Sequence, residues 1–311
     1  MSEFWIIFCI VAFIGVILFL GFMFYRLIFY SDPAKRTAND PRYNNKLFER
    51  YNDLLVPNYE RLISEPCEEI SIISEDGIKL FGRYYHNSEK SPFVYLCHSY
   101  KGNALADFCA LFYFYKSMGF NILLPDLRAC GNSGGKCVSL GVLERFDGIS
   151  WCDYLVNRFG EDIKICLHGI SSGASIAMMM LELNPPDAVK CVIEDCGYTS
   201  PKDILKYQAK LMKLPPNLCC FFAFVGALIF GHFNINAASA KKAVSSSDIP
   251  ILYIHATEDE FVPFYMVNEL LSAGKGEKRK LEIKDAPHGG AYPHNTKEYE
   301  AAVANFLDTY L

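Results

Sequence analysis

The sequence predicts an α/β protein: a mainly parallel, doubly wound sheet of eight strands with helices on both faces, preceded by one N-terminal transmembrane helix. Three observations carry this reading. Residues 4–25 form an uncharged apolar run. A hairpin signal follows around Glu75-Asp76-Gly77. From there to the C-terminus, short apolar runs alternate with helix-length amphipathic stretches, the pattern of a sheet covered on both sides.

Composition agrees. Of 311 residues, 51% are hydrophobic and 21% charged, which excludes a disordered chain. Mean hydropathy is +0.11, high for a soluble enzyme and low for a polytopic membrane protein. A soluble domain plus one membrane segment accounts for it. A net charge of −5 argues against a nucleic-acid partner.

The apolar run comes first. Residues 4–25 at about 1.5 Å rise span about 33 Å, enough for a hydrocarbon core of about 30 Å. Met1-Ser2-Glu3 carries no Lys or Arg, and no small-x-small cleavage site follows the run. The run also exceeds the roughly 7–15 apolar residues of a signal peptide, so an uncleaved anchor over residues 1–30 is expected. Trp5, Tyr25 and Tyr30 would sit near its interfaces. Arg26, Lys35, Arg36, Arg42, Lys46 and Arg50 follow it. The positive-inside rule therefore places the C-terminal part in the cytoplasm, on a single-pass membrane protein. The 12 cysteines fit a reducing compartment. Cys97, Cys166 and Cys191 lie in strand-like runs as small hydrophobes, and no pair of C-x-x-C motifs suggests zinc.

Residues 31–65 are polar, with Ser31-Asp32-Pro33 and Pro41 as breakers. They read as a juxtamembrane linker with one short helix around 46–55. Residues 69–74 and 78–85 then alternate about the turn, a hairpin. Six runs rich in Val, Ile, Leu and Tyr follow, at 92–97, 120–124, 163–167, 190–194, 249–254 and 280–284. Amphipathic stretches lie at 104–118, 142–159, 172–183, 264–273 and 295–311. All of this reads as one domain, 66–311, with an insertion at about 200–247. Within the insertion, residues 218–231 are uncharged and too short to span a bilayer comfortably. A buried helix, an apolar lid over the site and a membrane-dipping lid remain open readings.

Gly169-Ile170-Ser171-Ser172-Gly173 matches G-x-S-x-G, with a strand before it and a helix after it. A sharp turn there thrusts the serine hydroxyl above the sheet, and the helix N-terminus supplies N–H donors. Ser171 is the expected nucleophile. It needs a base, and the base an orienting carboxylate, in the chain order Ser, acid, His. His288, in Ala286-Pro287-His288-Gly289-Gly290 after the last strand, is the expected base, and His294 the alternative. His255 reads as packed, and His232 borders the apolar insertion. Asp259 is the expected acid, ahead of Glu258 and Glu260 in the same loop; Asp195 is the other carboxylate within reach. An oxyanion hole needs two donors. The Ser172 N–H is one, and the Tyr100 N–H, in the loop after the third strand, is the other.

In these residues the chain resembles a serine hydrolase of the α/β-hydrolase superfamily over about residues 66–311. It is similar to membrane-anchored bacterial members of the serine aminopeptidase, acylglycerol lipase and esterase-like group. Its marks are His98 with the oxyanion loop, Asp126–Ser133, Gly169–Gly173, Asp259 before Val262-Pro263, and His288. Two positions depart from the family pattern: Ala129 stands where D-x-R-G-x-G-x-S has its first glycine, and Ser99 replaces the glycine after the oxyanion-loop histidine. The resemblance implies hydrolysis of an ester, amide or thioester through an acyl-enzyme, with no metal or organic cofactor. Expected partners are a small-molecule ester, lipid or peptide substrate, and the membrane through the N-terminal helix. The apolar segments favour a carboxylesterase or lipase-like activity. A serine peptidase, an acyltransferase and a non-catalytic anchored binding module are the alternatives.

Overall fold

A computed structural model describes residues 2–32 and 46–311. Pro33, Pro41, Lys35, Arg36 and Arg42 lie outside the described residues. Among the described residues the sheet has eight strands: β1 Glu68–Ile73, β2 Lys79–Tyr85, β3 Phe93–Cys97, β4 Asn121–Asp126, β5 Ile165–Ile170, β6 Val189–Asp195, β7 Ile251–Ala256 and β8 Lys278–Ile283. Their order is β1-β2-β4-β3-β5-β6-β7-β8. The β1–β2 hairpin is antiparallel, β2 meets β4 antiparallel, and every pairing beyond is parallel. β3 to β5 and β7 are buried along their whole length, which is why they read as unbroken apolar runs rather than as alternation. This is the α/β-hydrolase fold.

The helices are α1 Ser2–Phe24, α2 Asn52–Ile63, α3 Ala104–Ser117, α4 Glu144–Phe159, α5 Ser172–Met180, α6 Pro201–Leu211, α7 Pro216–Phe230, α8 Ala240–Ser246, α9 Tyr265–Ala273, α10 Ala291–His294 and α11 Thr296–Tyr310. Their starts follow local chemistry. The Asn103 side chain accepts the N–H groups of Leu105 and Ala106 at α3, and Ser200 accepts that of Asp203 at α6, which opens on Pro201. One face of the sheet is covered by α4, α5, α8 and α9, around Trp151, Ile176 and Met266. The other carries α2, α3 and α11, around Phe112, Tyr115 and Phe306.

Residues 46–63 differ from the sequence reading. They form a 3₁₀ turn, Lys46–Tyr51, running into α2, longer than the short helix expected. Phe48, Tyr51, Leu55, Tyr59 and Leu62 recur at three- and four-residue spacing and are buried in the core with α3. This stretch is part of the domain's packing, not a free linker.

α1 continues through a π-helical turn, Tyr25–Phe29. Residues Glu3–Phe29 are long and apolar enough to cross a membrane, with a mean hydropathy of 3.1. Most of α1 is exposed, but its last turns dock on α7. The Phe22 and Phe230 rings lie 5.3 Å apart, and those of Phe24 and Phe222 5.8 Å. Phe29 is wholly buried, edge-on to Phe233 at 5.1 Å. Beyond it, Tyr30 bridges Cys137, and the Ser31 hydroxyl donates to the Ala129 carbonyl at 2.6 Å. The apolar helix is thus fixed to the domain.

The docking depends on small residues where backbones meet. A Cβ on Gly226 would come within 2.3 Å of the Gly21 carbonyl oxygen and 3.0 Å of the Tyr25 nitrogen. Gly226→Leu is expected to push α7 off α1, at about 1–3 kcal/mol. Limited proteolysis of the detergent-solubilised chain checks this: faster cleavage within residues 211–233 than in wild type is the expected result.

Candidate active site

The C-terminal ends of the parallel strands converge, as in open α/β sheets generally. β5 ends in a turn that places Ser171 at φ 58°, ψ −119°, a strained conformation for a residue with a side chain. The flanking glycines permit it by proximity. A Cβ on Gly169 would lie 2.2 Å from Gly173, and one on Gly173 would lie 1.9 Å from the Cys97 carbonyl of β3. The Ser171 N–H donates to the Asp195 carbonyl at 2.7 Å, which fixes the turn against β6. α5 begins at the next residue, Ser172.

Ser171 Oγ is 2.8 Å from His288 Nε2. His288 Nδ1 is 2.7 Å from Asp259 Oδ2. The carboxylate requires that Nδ1 carry the proton, which leaves Nε2 bare to accept from the serine. Asp259 is buried. Its Oδ1 accepts the N–H groups of Phe261 and Val262 at 2.9 and 2.8 Å. Burial alone would raise its pKa; hydrogen bonds from His255 and His288 outweigh it and hold the carboxyl at about 2. It is a carboxylate at every working pH.

The other candidates fall elsewhere. His294 pairs with the Tyr51 hydroxyl at 3.0 Å. Glu258 and Glu260 are exposed. Asp195 accepts from the Tyr299 hydroxyl at 3.0 Å. Tyr100 and Ser172 line the same cavity as Ser171. The Tyr100 hydroxyl donates to the Ile28 carbonyl, so the side chain is engaged with the turn after α1. The Tyr100 loop is braced behind: His98 Nε2 accepts the Leu127 N–H at 2.9 Å, and Asp107 accepts that of Ser99 at 2.7 Å. Ala129 sits at φ 60°, the left-handed region where the family motif has glycine.

Sequence reasoning missed one partner of the site. His255 is buried, with Nε2 2.9 Å from the Val262 carbonyl and 3.3 Å from Asp259 Oδ2. Asp259 therefore faces two imidazoles. The i,i+4 spacing of His255 and Asp259 across the end of β7 is the signal that could have found it. Cys196 Sγ also lies within 4.8 Å of the Asp259 and His288 donor atoms. That set has the donor types of a metal site, but its Asp259–His288 contact is a tight hydrogen bond and both carboxylate oxygens already accept, so it does not fit a metal.

Behind the site lies a buried acid. Glu194 is fully buried; Oε2 accepts the Gly197 N–H at 2.9 Å and Oε1 has no hydrogen-bond partner among the described residues. Desolvation pushes its pKa up to about 8, against the pull of His255. The native state thus holds a proton that the unfolded chain releases near pH 4.3. This contribution to stability is full below about pH 4 and is lost as pH rises through 8. Glu194→Gln is expected to flatten the decline in thermal midpoint between pH 6 and 8. Melting curves of the detergent-solubilised variant and wild type check it, and an unchanged slope would refute the assignment.

A cavity of about 340 Å³ opens beside Ser171. Its walls come from α6 and α7 (Ile204, Leu205, Ala209, Ala223), from Leu140, Tyr198 and Phe261, and from Phe24 at the end of α1 with Leu27 and Ile28 of the π-helical turn that follows. No acidic side chain lines it among the described residues. Phe261 stacks at a tilt on His288, ring centres 5.0 Å apart, and its carbonyl accepts from Gln208 of α6 at 2.7 Å.

Fold and site together define a serine hydrolase of the α/β-hydrolase class. The chain belongs to the prolyl oligopeptidase family, whose profile matches residues 106–311. Over 304 residues, 97% of each chain, it is 23% identical to YqkD of Bacillus subtilis. It is 23% identical over 217 residues to the membrane protein YNL320W of Saccharomyces cerevisiae, covering 70% of this chain and 71% of that one. Among solved structures it is similar to the Pyrococcus furiosus esterase Pf2001: TM-score 0.63, 26% identity, 80% of this chain and 94% of that one. Est1E of Butyrivibrio proteoclasticus, solved with ferulic acid, shares the fold at a TM-score of 0.61 and 18% identity, over 78% of this chain and 98% of that one.

Proposed function

We propose that this chain is a carboxylic ester hydrolase for apolar acyl substrates, with Ser171 as nucleophile, His288 as general base and acid, and Asp259 as the orienting carboxylate. In this reading Ser171 Oγ attacks the carbonyl carbon while its proton passes to His288 Nε2. The N–H groups of Tyr100 and Ser172 receive the oxyanion. His288 returns the proton to the departing alkoxide, leaving an acyl-serine. Water then attacks the acyl carbon, gives a proton to His288, and the carboxylic acid leaves as Ser171 regains its proton.

The observation that carries the choice of ester over amino-terminal peptide is the cavity. An aminopeptidase needs a carboxylate to hold the substrate ammonium, and the wall beside Ser171 offers aliphatic and aromatic carbon instead. Pf2001, 26% identical, is an esterase. Residues 1–30 serve in this reading as a single-pass anchor, with the catalytic domain on the cytoplasmic side. The test is a panel of p-nitrophenyl esters against aminoacyl p-nitroanilides on the full-length protein. Ester turnover at least about tenfold above anilide turnover is expected; the reverse would make the enzyme a peptidase.

A further inference from the structure

We propose that the enzyme draws its acyl chain directly from the membrane, through a mouth that the anchoring helix itself helps to form. This rests on the ester-hydrolase reading above. Three sets of observations carry it.

The cavity at Ser171 is walled on one side by Phe24, Leu27 and Ile28, which end the apolar helix and form its π-helical turn. α7 packs on α1 at Gly21 and Phe22, within the apolar run itself. Whatever leaflet holds that end of α1 therefore also holds α7, whose outer face exposes Leu218, Phe221, Leu228 and Ile229. The lid is uncharged and apolar on the side away from the domain, as a surface immersed in acyl chains must be.

The mouth is apolar too. Leu27, Met212 and Leu214 belong to the cavity lining, yet are 74%, 65% and 46% exposed. Residues that both line a cavity and face outward mark its opening. A long exposed aliphatic rim in water is unfavourable; against lipid it is not.

The third set is charge. α6 carries Lys202, Lys206 and Lys210 at successive i,i+4 positions, and Lys213 follows at its end. Between and beside these lysines, α6 gives Ile204, Leu205 and Ala209 to the cavity. A short helix with lysines on one face and the apolar mouth at its end suits the headgroup level of an anionic leaflet. The geometry is that of a funnel: an acyl ester rises past Leu27 and Met212, its chain lies between α1, α6 and α7, and its carbonyl meets Ser171. The Tyr100 hydroxyl, bonded to the Ile28 carbonyl, ties the oxyanion loop to the same turn.

The test uses the full chain reconstituted in phosphatidylcholine vesicles, with 4-methylumbelliferyl oleate dissolved in the bilayer and 4-methylumbelliferyl butyrate in the water. The readout is the ratio of oleate to butyrate turnover. Leu27→Asp and Met212→Asp place a charge at the mouth on exposed positions. Each is expected to lower the ratio about tenfold, the low end of what one methylene commands in an apolar pocket. Leu27→Trp, which adds bulk without charge, is expected to lower it as well and guards against an anchor disturbed by Asp. An unchanged ratio in all three, with oleate still cleaved, overturns the membrane route and leaves the ester reading standing. A wild type that cleaves neither ester overturns both.

Discussion

Ser171→Ala is expected to abolish labelling by a fluorophosphonate probe and to lower hydrolysis of p-nitrophenyl butyrate by about 10⁶-fold. The hydrogen-bond chain sets the size of the effect. Ser171 Oγ reaches His288 Nε2 at 2.8 Å, and His288 Nδ1 reaches Asp259 at 2.7 Å. Without the hydroxyl there is no atom to carry the acyl group, and the remaining groups contribute only binding and oxyanion stabilisation. His288→Ala is expected to fall nearly as far, and the double variant no further, because the two act as one unit. Asp259→Asn is expected to cost about 10⁴-fold through the wrong imidazole tautomer. Fluorophosphonate labelling that survives Ser171→Ala would place the nucleophile elsewhere.

The residues of this chain were legible in sequence to the degree that their placement is local. The Gly169–Gly173 turn can be read because its conformation needs absent side chains: Gly173 lies so close to the Cys97 carbonyl that no Cβ fits. His288 and Asp259 can be read because the order of strands fixes which loops reach β5's end. The eight strands fell within one to three residues of the apolar runs. Their ends ran on through Asp126, Ile170 and Asp195, where backbone pairing continues past the last purely apolar position.

What sequence did not yield depends on contacts across the chain. His255 looked like a packed strand residue because its i,i+4 spacing to Asp259 is meaningful only once the loop after β7 folds the carboxylate back over its ring. α2 looked like linker because its apolar residues are separated by Asn52, Asp53, Glu60 and Arg61. The three- and four-residue recurrence of Phe48, Tyr51, Leu55, Tyr59 and Leu62 runs through those polar positions, and docking on α3 shows that this face is buried. The apolar segments 4–25 and 218–231 were separate puzzles in sequence. In space they are one surface, joined by a Gly21–Gly226 contact 205 positions apart and sharing one cavity. Two of the readings left open for residues 218–231 hold at once: α7 buries Ala223 and Ala227 and walls the cavity with Cys219 and Ala223, while its outer face is apolar.

Arg128→Ala is expected to destabilise the domain by about 3–5 kcal/mol, a large share of a typical domain's total. Arg128 is 3% exposed in the loop after β4. Its guanidinium makes two bonds of 2.6 Å to Asp147 of α4, and bonds of 2.8 and 3.1 Å to Asp76 in the β1–β2 turn. Asp76 is half exposed and can return to water; Asp147 is buried and cannot. The loss is therefore that of a carboxylate left without its partner. Desolvation pushes Asp147 up to about 6 even with Arg128 pulling it down. Without the arginine it rises further, so the residue is neutral at pH 5.5 and its burial is then less unfavourable. Urea denaturation of the detergent-solubilised variant should accordingly show a smaller loss at pH 5.5 than at pH 8. Arg128→Met with Asp147→Leu removes both charges, and is expected to recover most of the loss, since a buried pair exchanged for carbon of similar volume is often neutral. A double variant as unstable as Arg128→Ala would mean that the loop after β4 is held by the shape of the guanidinium rather than by its charge.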